Sequence, residues 1–324
     1  MKYGTLPGVD KPLSRLVQGT ATDLDASDPA ACFALLDMAL SSGINTFDQA
    51  HVYGAARSEI VGRWIQERNV RDQVAILAKG AHPYGRPRVT PPDIISDLHD
   101  ALTWLRTDHV EMYVLHRDDP AVPVGPIVDT LNALRMEGKI GAFGGSNWTT
   151  ARLQEANDYA RAHGLVPFAI SSPNYSLADQ VQPPWDDCLT ISGPRHDADR
   201  AWYAQSGLAL FTWSSLAGGF FSDRFHRDNL GTFAPDKYFD QLAIKCYCYE
   251  PNFQRLDHAR LLAEQHGRTV PQIALAFVLS QPLNIFALIS CANQAMFDAN
   301  TQALDITLTP QEMAYLDLKA DAPA

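Results

Sequence analysis

No stretch of this chain is long and apolar enough to cross a bilayer: its longest strongly apolar run, Ile273 to Leu279, falls far short of the roughly 18 residues required. Residues 1–20 hold no apolar core of signal-peptide length, so the expected location is cytoplasmic. Basic runs, an arginine-rich arm and a Cys/His finger are missing, and a formal net charge of −11 argues against nucleic-acid and anionic-membrane partners. Cysteine is scarce and odd in number. Cys32, Cys188, Cys246, Cys248 and Cys291 suggest no disulfide framework, and Cys246 with Cys248 has no His or Cys partner at zinc spacing. Reduced thiols and no metal site are expected. Internal repeats and low-complexity linkers are also lacking.

What is present is ordinary globular composition, 46% apolar and 19% charged, over 324 residues. That length suits one barrel better than two domains. Strand-like runs recur at Leu16–Gly19, Ile44–Asp48, Val74–Lys79, Val110–His116, Ile140–Ser146, Phe168–Ser172, Ala209–Trp213 and Phe286–Ile289. Between them lie helical patterns at Pro29–Ser42, Ser58–Glu67, Pro91–Leu105, Ile127–Glu137, Thr149–His163 and Asp197–Gln205, several opened by Ser, Thr, Asp or Pro. Asn252–Ser280 reads as two helices broken near Gly267. Strand–helix alternation of this kind predicts a parallel sheet closed into a (β/α)8 TIM barrel, a single domain over residues 1–324. The stretches Tyr175–Arg195 and Ser214–Pro251 exceed ordinary βα loops, and loops of that length on a catalytic face usually bind or cover something.

Asp48, Lys79 and His116 end three successive predicted strands, and Tyr53 follows shortly after Asp48. A carboxylate, an ammonium, an imidazole and a phenol brought to one barrel mouth can build a tuned proton donor. Hydride delivery to a carbonyl carbon leaves negative charge on oxygen, which must be protonated or stabilised as it forms. Tyr53 is the expected acid, Lys79 the cation favouring its phenolate, Asp48 the anchor of Lys79, and His116 a neutral donor to the substrate oxygen. No side chain supplies a hydride, so a nicotinamide cofactor, NADP or NAD, is implied.

The wording FDQAHVYG, LAKG and VLHRDDP around these residues resembles the aldo-keto reductase family over about Arg15 to Leu318. The resemblance implies a cofactor extended across the barrel mouth, which fits the absence of a GxGxxG fingerprint. It assigns the carboxamide to Ser146 and Asn147 in GGSNW, ring stacking to Trp213, the pyrophosphate to Ser214, Leu216, Gly218 and Arg224, and further contacts to Thr20, Asp48, Ser290 and Asn300. Two departures stand out: Ser172 occupies the usual Gln position, and Ser290–Cys291 replaces a Gly-containing turn. A basic clamp for a 2′-phosphate is not evident, since Thr269 to Leu318 holds no Lys or Arg. A small hairpin at Lys2–Tyr3, closing the barrel bottom, is also implied.

The expected substrate is a small aldehyde, ketone or sugar carbonyl, or the corresponding alcohol, with Tyr84, Arg117, Trp148 and Trp185 as pocket walls. The alternative is a cofactor-binding sensor resembling potassium-channel β subunits. A weaker third reading, Lys79 as a Schiff-base nucleophile, is disfavoured by Tyr53 and the SNW and WSSL segments. The oligomeric state is not readable from the sequence.

Overall fold

The computed structural model describes residues 1–323. A two-stranded antiparallel hairpin opens the chain, β1 (Tyr3–Leu6) with β2 (Val9–Ser14). Eight parallel strands follow: β3 (Leu16–Gly19), β4 (Thr46–Ala50), β5 (Ala75–Gly80), β6 (Val110–Leu115), β7 (Ile140–Ser146), β8 (Ile170–Ser172), β9 (Ala209–Thr212) and β10 (Ile285–Ile289). They close in sequence order, with β10 returning to pair with β3. Around them lie α1 (Pro29–Ser41), α2 (Ala55–Arg68), α3 (Pro91–Leu105), α4 (Val124–Met136), α5 (Thr150–Ala162), α6 (Asp197–Ser206), α7 (Tyr238–Tyr247), α8 (Glu250–His266), α9 (Val270–Leu279), α10 (Gln294–Ala303) and α11 (Pro310–Leu316).

Two cores hold this together. Val17, Leu77, Met112, Val114, Phe211 and Phe286 belong to the core inside the barrel, where the Phe211 and Phe286 rings stack with centroids 4.7 Å apart. Leu6 and Leu13 of the hairpin join that cluster, so the hairpin seals the amino-terminal end of the barrel. The second core lies between strands and helices and contains Phe47, Trp64, Tyr113 and Phe143. With the bottom closed, the mouth at the carboxyl ends is left for chemistry.

The expected segments are reproduced with small shifts and several additions. β4 begins at Thr46 and not Ile44, so Asp48 lies within the strand and not at its exit. α7 forms inside the stretch expected to be a long loop, and α10 and α11 close the chain where no helical pattern is read. Among the described residues, no helix is long and apolar enough to cross a membrane, and all five cysteines are free.

Candidate active site

Strand alternation carries the reactive side chains inward. Leu77 is an interior residue, so Lys79, a period further along β5, faces the same way near the mouth. Met112 and Val114 set the same direction for His116, Phe211 for Trp213, and Leu288 for Ser290. Each of these residues sits one inward step above the apolar filling. Tyr53 arrives differently. A short helical turn, His51–Tyr53, ends at Gly54 with φ of 89°, a value that favours glycine, and turns the chain from β4 into α2.

Asp48 is the hub. Its carboxylate accepts a hydrogen bond from Tyr53 Oη at 3.1 Å through Oδ2 and from Lys79 Nζ through Oδ1. Asp48 and Lys79 are buried beneath the mouth, whereas Tyr53 and His116 keep partly exposed edges toward it. The Tyr53 and His116 rings meet edge-on with centroids 6.4 Å apart, and His82 packs edge-on against His116 at 5.0 Å. His116 Nδ1 is buried with no protein partner. Burial first, then the positive charges of Lys79 and Arg117, push the His116 imidazole well below its usual value, so the ring is neutral near pH 7.

The charge around Tyr53 is distributed differently from the expectation. Burial and then the Asp48 carboxylate hold its phenol well above the ordinary tyrosine value, and the cation opposing them is Arg117. Lys79 gives its ammonium to Asp48, the anchor expected for it, with Nζ 5.8 Å from the Tyr53 ring centre.

Several of the expected cofactor residues gather at the carboxyl ends of the strands, where their side chains are bonded to protein groups. Ser146 Oγ donates to the Ser172 carbonyl at 2.9 Å, and Ser172 Oγ donates to the Phe211 carbonyl at 2.6 Å. Asn147 Nδ2 donates to the His116 carbonyl at 3.2 Å, while Asn147 Oδ1 accepts from the Leu189 N–H at 3.0 Å. Thr20 Oγ1 donates to the Asp48 carbonyl at 2.7 Å and is fully buried. Ser172 is likewise fully enclosed, so neither hydroxyl opens onto the mouth.

Trp213 is half-buried and its Nε1 has no protein partner. Beyond it, Ser214 (φ 50°), Ala217 (φ 53°), Gly218 (φ 59°) and Gly219 (φ 88°) form a turn rich in left-handed backbone, with Leu216 half-buried inside it. Arg224 lies after that turn, paired with Asp240 at 2.8 Å. At the opposite rim Ser290 Oγ donates to Asp23 and lies 3.1 Å from Thr22 Oγ1, and Asn300 Nδ2 donates to Cys291 Sγ at 3.1 Å.

Of the expected pocket walls, Tyr84 and Trp185 are about half exposed, at 50% and 44%, but Trp148 is buried and donates from Nε1 to the Arg117 carbonyl at 3.2 Å. Trp148 is therefore a support under the mouth and not a wall. The 175–195 segment does reach the carboxyl ends of the strands, through the Leu189–Asn147 bond and through Arg117 Nε, which donates to the Asp186 carbonyl at 3.3 Å. His82 and Asp23 join these groups without a motif of their own; for His82 the sequence signal is its place just beyond LAKG.

A parallel barrel with its polar groups gathered at this end is an α/β-barrel enzyme. The chain belongs to the aldo/keto reductase family, whose model matches residues 15–321. Its family makes it an NAD(P)-dependent oxidoreductase. It is 25% identical to an NADP(+) aryl-alcohol dehydrogenase of Phanerodontia chrysosporium over 90% of this chain and 76% of that protein. It is 26% identical to a protein named as a probable voltage-gated potassium channel subunit beta of Oryza sativa subsp. japonica, over 86% and 84% of the two chains. The crystal structure of a thermostable aldo-keto reductase, Tm1743, with the inhibitor epalrestat shares the fold at a TM-score of 0.73, with 22% identity over 99% of this chain and 100% of that one.

Proposed function

We propose that the protein interconverts an aromatic aldehyde or ketone and its alcohol, with Tyr53 as the acid and base. The observation that carries this reading is the Asp48 carboxylate bonded at once to Tyr53 Oη and Lys79 Nζ beside the unpartnered His116 Nδ1. In the reducing direction Tyr53 Oη hands its proton to the substrate oxygen, and in the oxidising direction its phenolate takes that proton back. Neutral His116 offers an N–H to the same oxygen and orients the carbonyl. Asp48 holds Tyr53 and Lys79 in place and keeps the ammonium beneath the reacting groups.

The residues present fit a nicotinamide dinucleotide, which when bound supplies or takes up the hydride. The half-buried Trp213 face would stack the ring, Ser146 and Asn147 would meet its carboxamide, and the left-handed turn from Ser214 to Gly219 would offer N–H groups to the pyrophosphate, with Arg224 beyond it. Asn300 would contact the adenine. Ser290 and Asp23 would face the adenosine ribose, where a carboxylate suits a 2′-hydroxyl and repels a 2′-phosphate. NADH should therefore be usable.

An aromatic substrate is favoured over a sugar by the half-exposed Tyr84 and Trp185, by His82 against His116, and by the aryl-alcohol relative. Steady-state rates with benzaldehyde, benzyl alcohol and a set of aldoses test this. Faster turnover of aldoses would reject the substrate class. Tight cofactor binding without turnover on any carbonyl would favour the sensor reading that the channel-subunit relative suggests.

A further inference from the structure

Arg117 follows His116 directly and is buried, at 5% exposure. Its guanidinium makes three contacts, all to neutral acceptors. Nη1 donates to the His116 carbonyl at 2.9 Å, Nε to the Asp186 carbonyl at 3.3 Å, and Nη2 to Cys188 Sγ at 3.1 Å. Burial pushes the Cys188 thiol up, so that sulfur carries no charge to offset the arginine near pH 7. Among the described residues no carboxylate pairs with it, in contrast to Arg86, Arg88, Arg152, Arg200, Arg224, Arg227 and Arg260, each of which has a carboxylate partner. A buried cation without a counter-charge is costly, and that cost is tolerated where the field acts on something.

Arg117 adjoins the acid–base pair: it follows His116 and bonds its carbonyl, and the His116 ring meets the Tyr53 ring edge-on with centroids 6.4 Å apart. Asp48 on β4 contributes negative charge, and Lys79 on β5 is bound to it. His116 after β6 and His82 after β5 are both held toward the neutral form. His51 shares the Tyr53 turn and is paired with Asp100. Arg57 on α2 donates to the Tyr53 carbonyl at 3.0 Å and to the Leu24 carbonyl at 3.2 Å, on the backbone side of the residue.

We propose that Arg117 is a positioning residue whose uncompensated guanidinium supplies the positive potential that offsets Asp48 at the Tyr53 oxygen. The inference rests on Tyr53 being the acid and base. Arg117 acts through Tyr53, and the 186–188 segment serves as its neutral clamp.

Two variants separate charge from clamping. Arg117→Gln keeps polar donors but removes the charge, whereas Arg117→Lys keeps the charge but cannot span all three acceptors. The pH profile of alcohol oxidation rises as Tyr53 becomes phenolate. In Arg117→Gln that rise should move about one pH unit higher, a roughly tenfold slower rate at a fixed pH below it. Arg117→Lys should stay within about a third of a unit of the parent. Ultraviolet titration of tyrosinate in the cofactor-free protein, taken as the difference from Tyr53→Phe, should show the same displacement without any turnover. An unmoved profile in Arg117→Gln, or equal movement in both variants, overturns the proposal. If Tyr53→Phe itself retains turnover, the acid–base reading fails first and independently.

Discussion

At the scale of single residues, the site is a set of neighbours that alter one another's protonation. Tyr53→Phe removes only the hydroxyl, so turnover should fall at least about a hundredfold while cofactor affinity persists. Near-normal turnover in a chemistry-limited assay would show that another group moves the proton. His116 has a second consequence, for stability. Its folded pKa lies below the unfolded value of about 6.5, so the unfolded chain takes up a proton that the native protein refuses. Stability is then fully present above about pH 6.5 and lost as the pH falls below it, by up to about 1.4 kcal/mol per unit. Urea unfolding at about pH 7 and pH 5 should show a smaller acid loss in His116→Gln than in the parent; equal losses would show that His116 does not contribute.

At the scale of elements, the mouth depends on close approaches between helices and on loops tied together. Gly62 on α2 lies against the end of α3, where an added Cβ would meet the Leu105 carbonyl carbon and oxygen at 2.6 Å. Backbone cannot step aside cheaply, so Gly62→Ala should destabilise by about 1–3 kcal/mol in chemical denaturation. A change below about 0.5 kcal/mol would mean that the two helices separate easily. Trp185 ties the 175–195 segment to α7 through an Nε1 bond of 2.6 Å to Tyr238 Oη. Trp185→Ala should raise the substrate KM several-fold and leave cofactor Kd nearly unchanged, and the reverse pattern would assign this segment to the cofactor.

At the scale of the whole molecule, barrel closure joins the two ends of the chain. Because β10 pairs with β3, the loop after the last strand meets the loop after the first, and Ser290 finds Asp23. Burial raises the Asp23 carboxyl, and the Ser290 and Thr22 hydroxyls work against that shift. With an acid at this rim and no Lys or Arg from Thr269 to Leu318, NADPH should bind no more than about a thousandfold tighter than NADH. Asp23→Ala should move the ratio of dissociation constants toward NADPH by about tenfold. Calorimetric titration with both nucleotides measures it, and an unchanged ratio would remove Asp23 from the ribose site.

Local pattern determined much of this protein. Apolar runs such as Val74–Lys79 and Ile140–Ser146 could be strands, the intervening segments helices, and their repetition a closed barrel, because hydrophobic periodicity is a property of adjacent residues. The same period of two carries Leu77 to Lys79 and Val114 to His116, so the inward direction of both was legible without coordinates. Tertiary structure alone decided which charges meet. The Asp48 carboxylate meets Tyr53 Oη as well as Lys79; Arg117, expected as a pocket wall, is a buried cation with only neutral acceptors; Trp148, expected as another, is a support. These outcomes depend on distances between residues far apart in the chain. Coulomb and desolvation energies follow those distances and the degree of burial, neither of which a linear pattern contains.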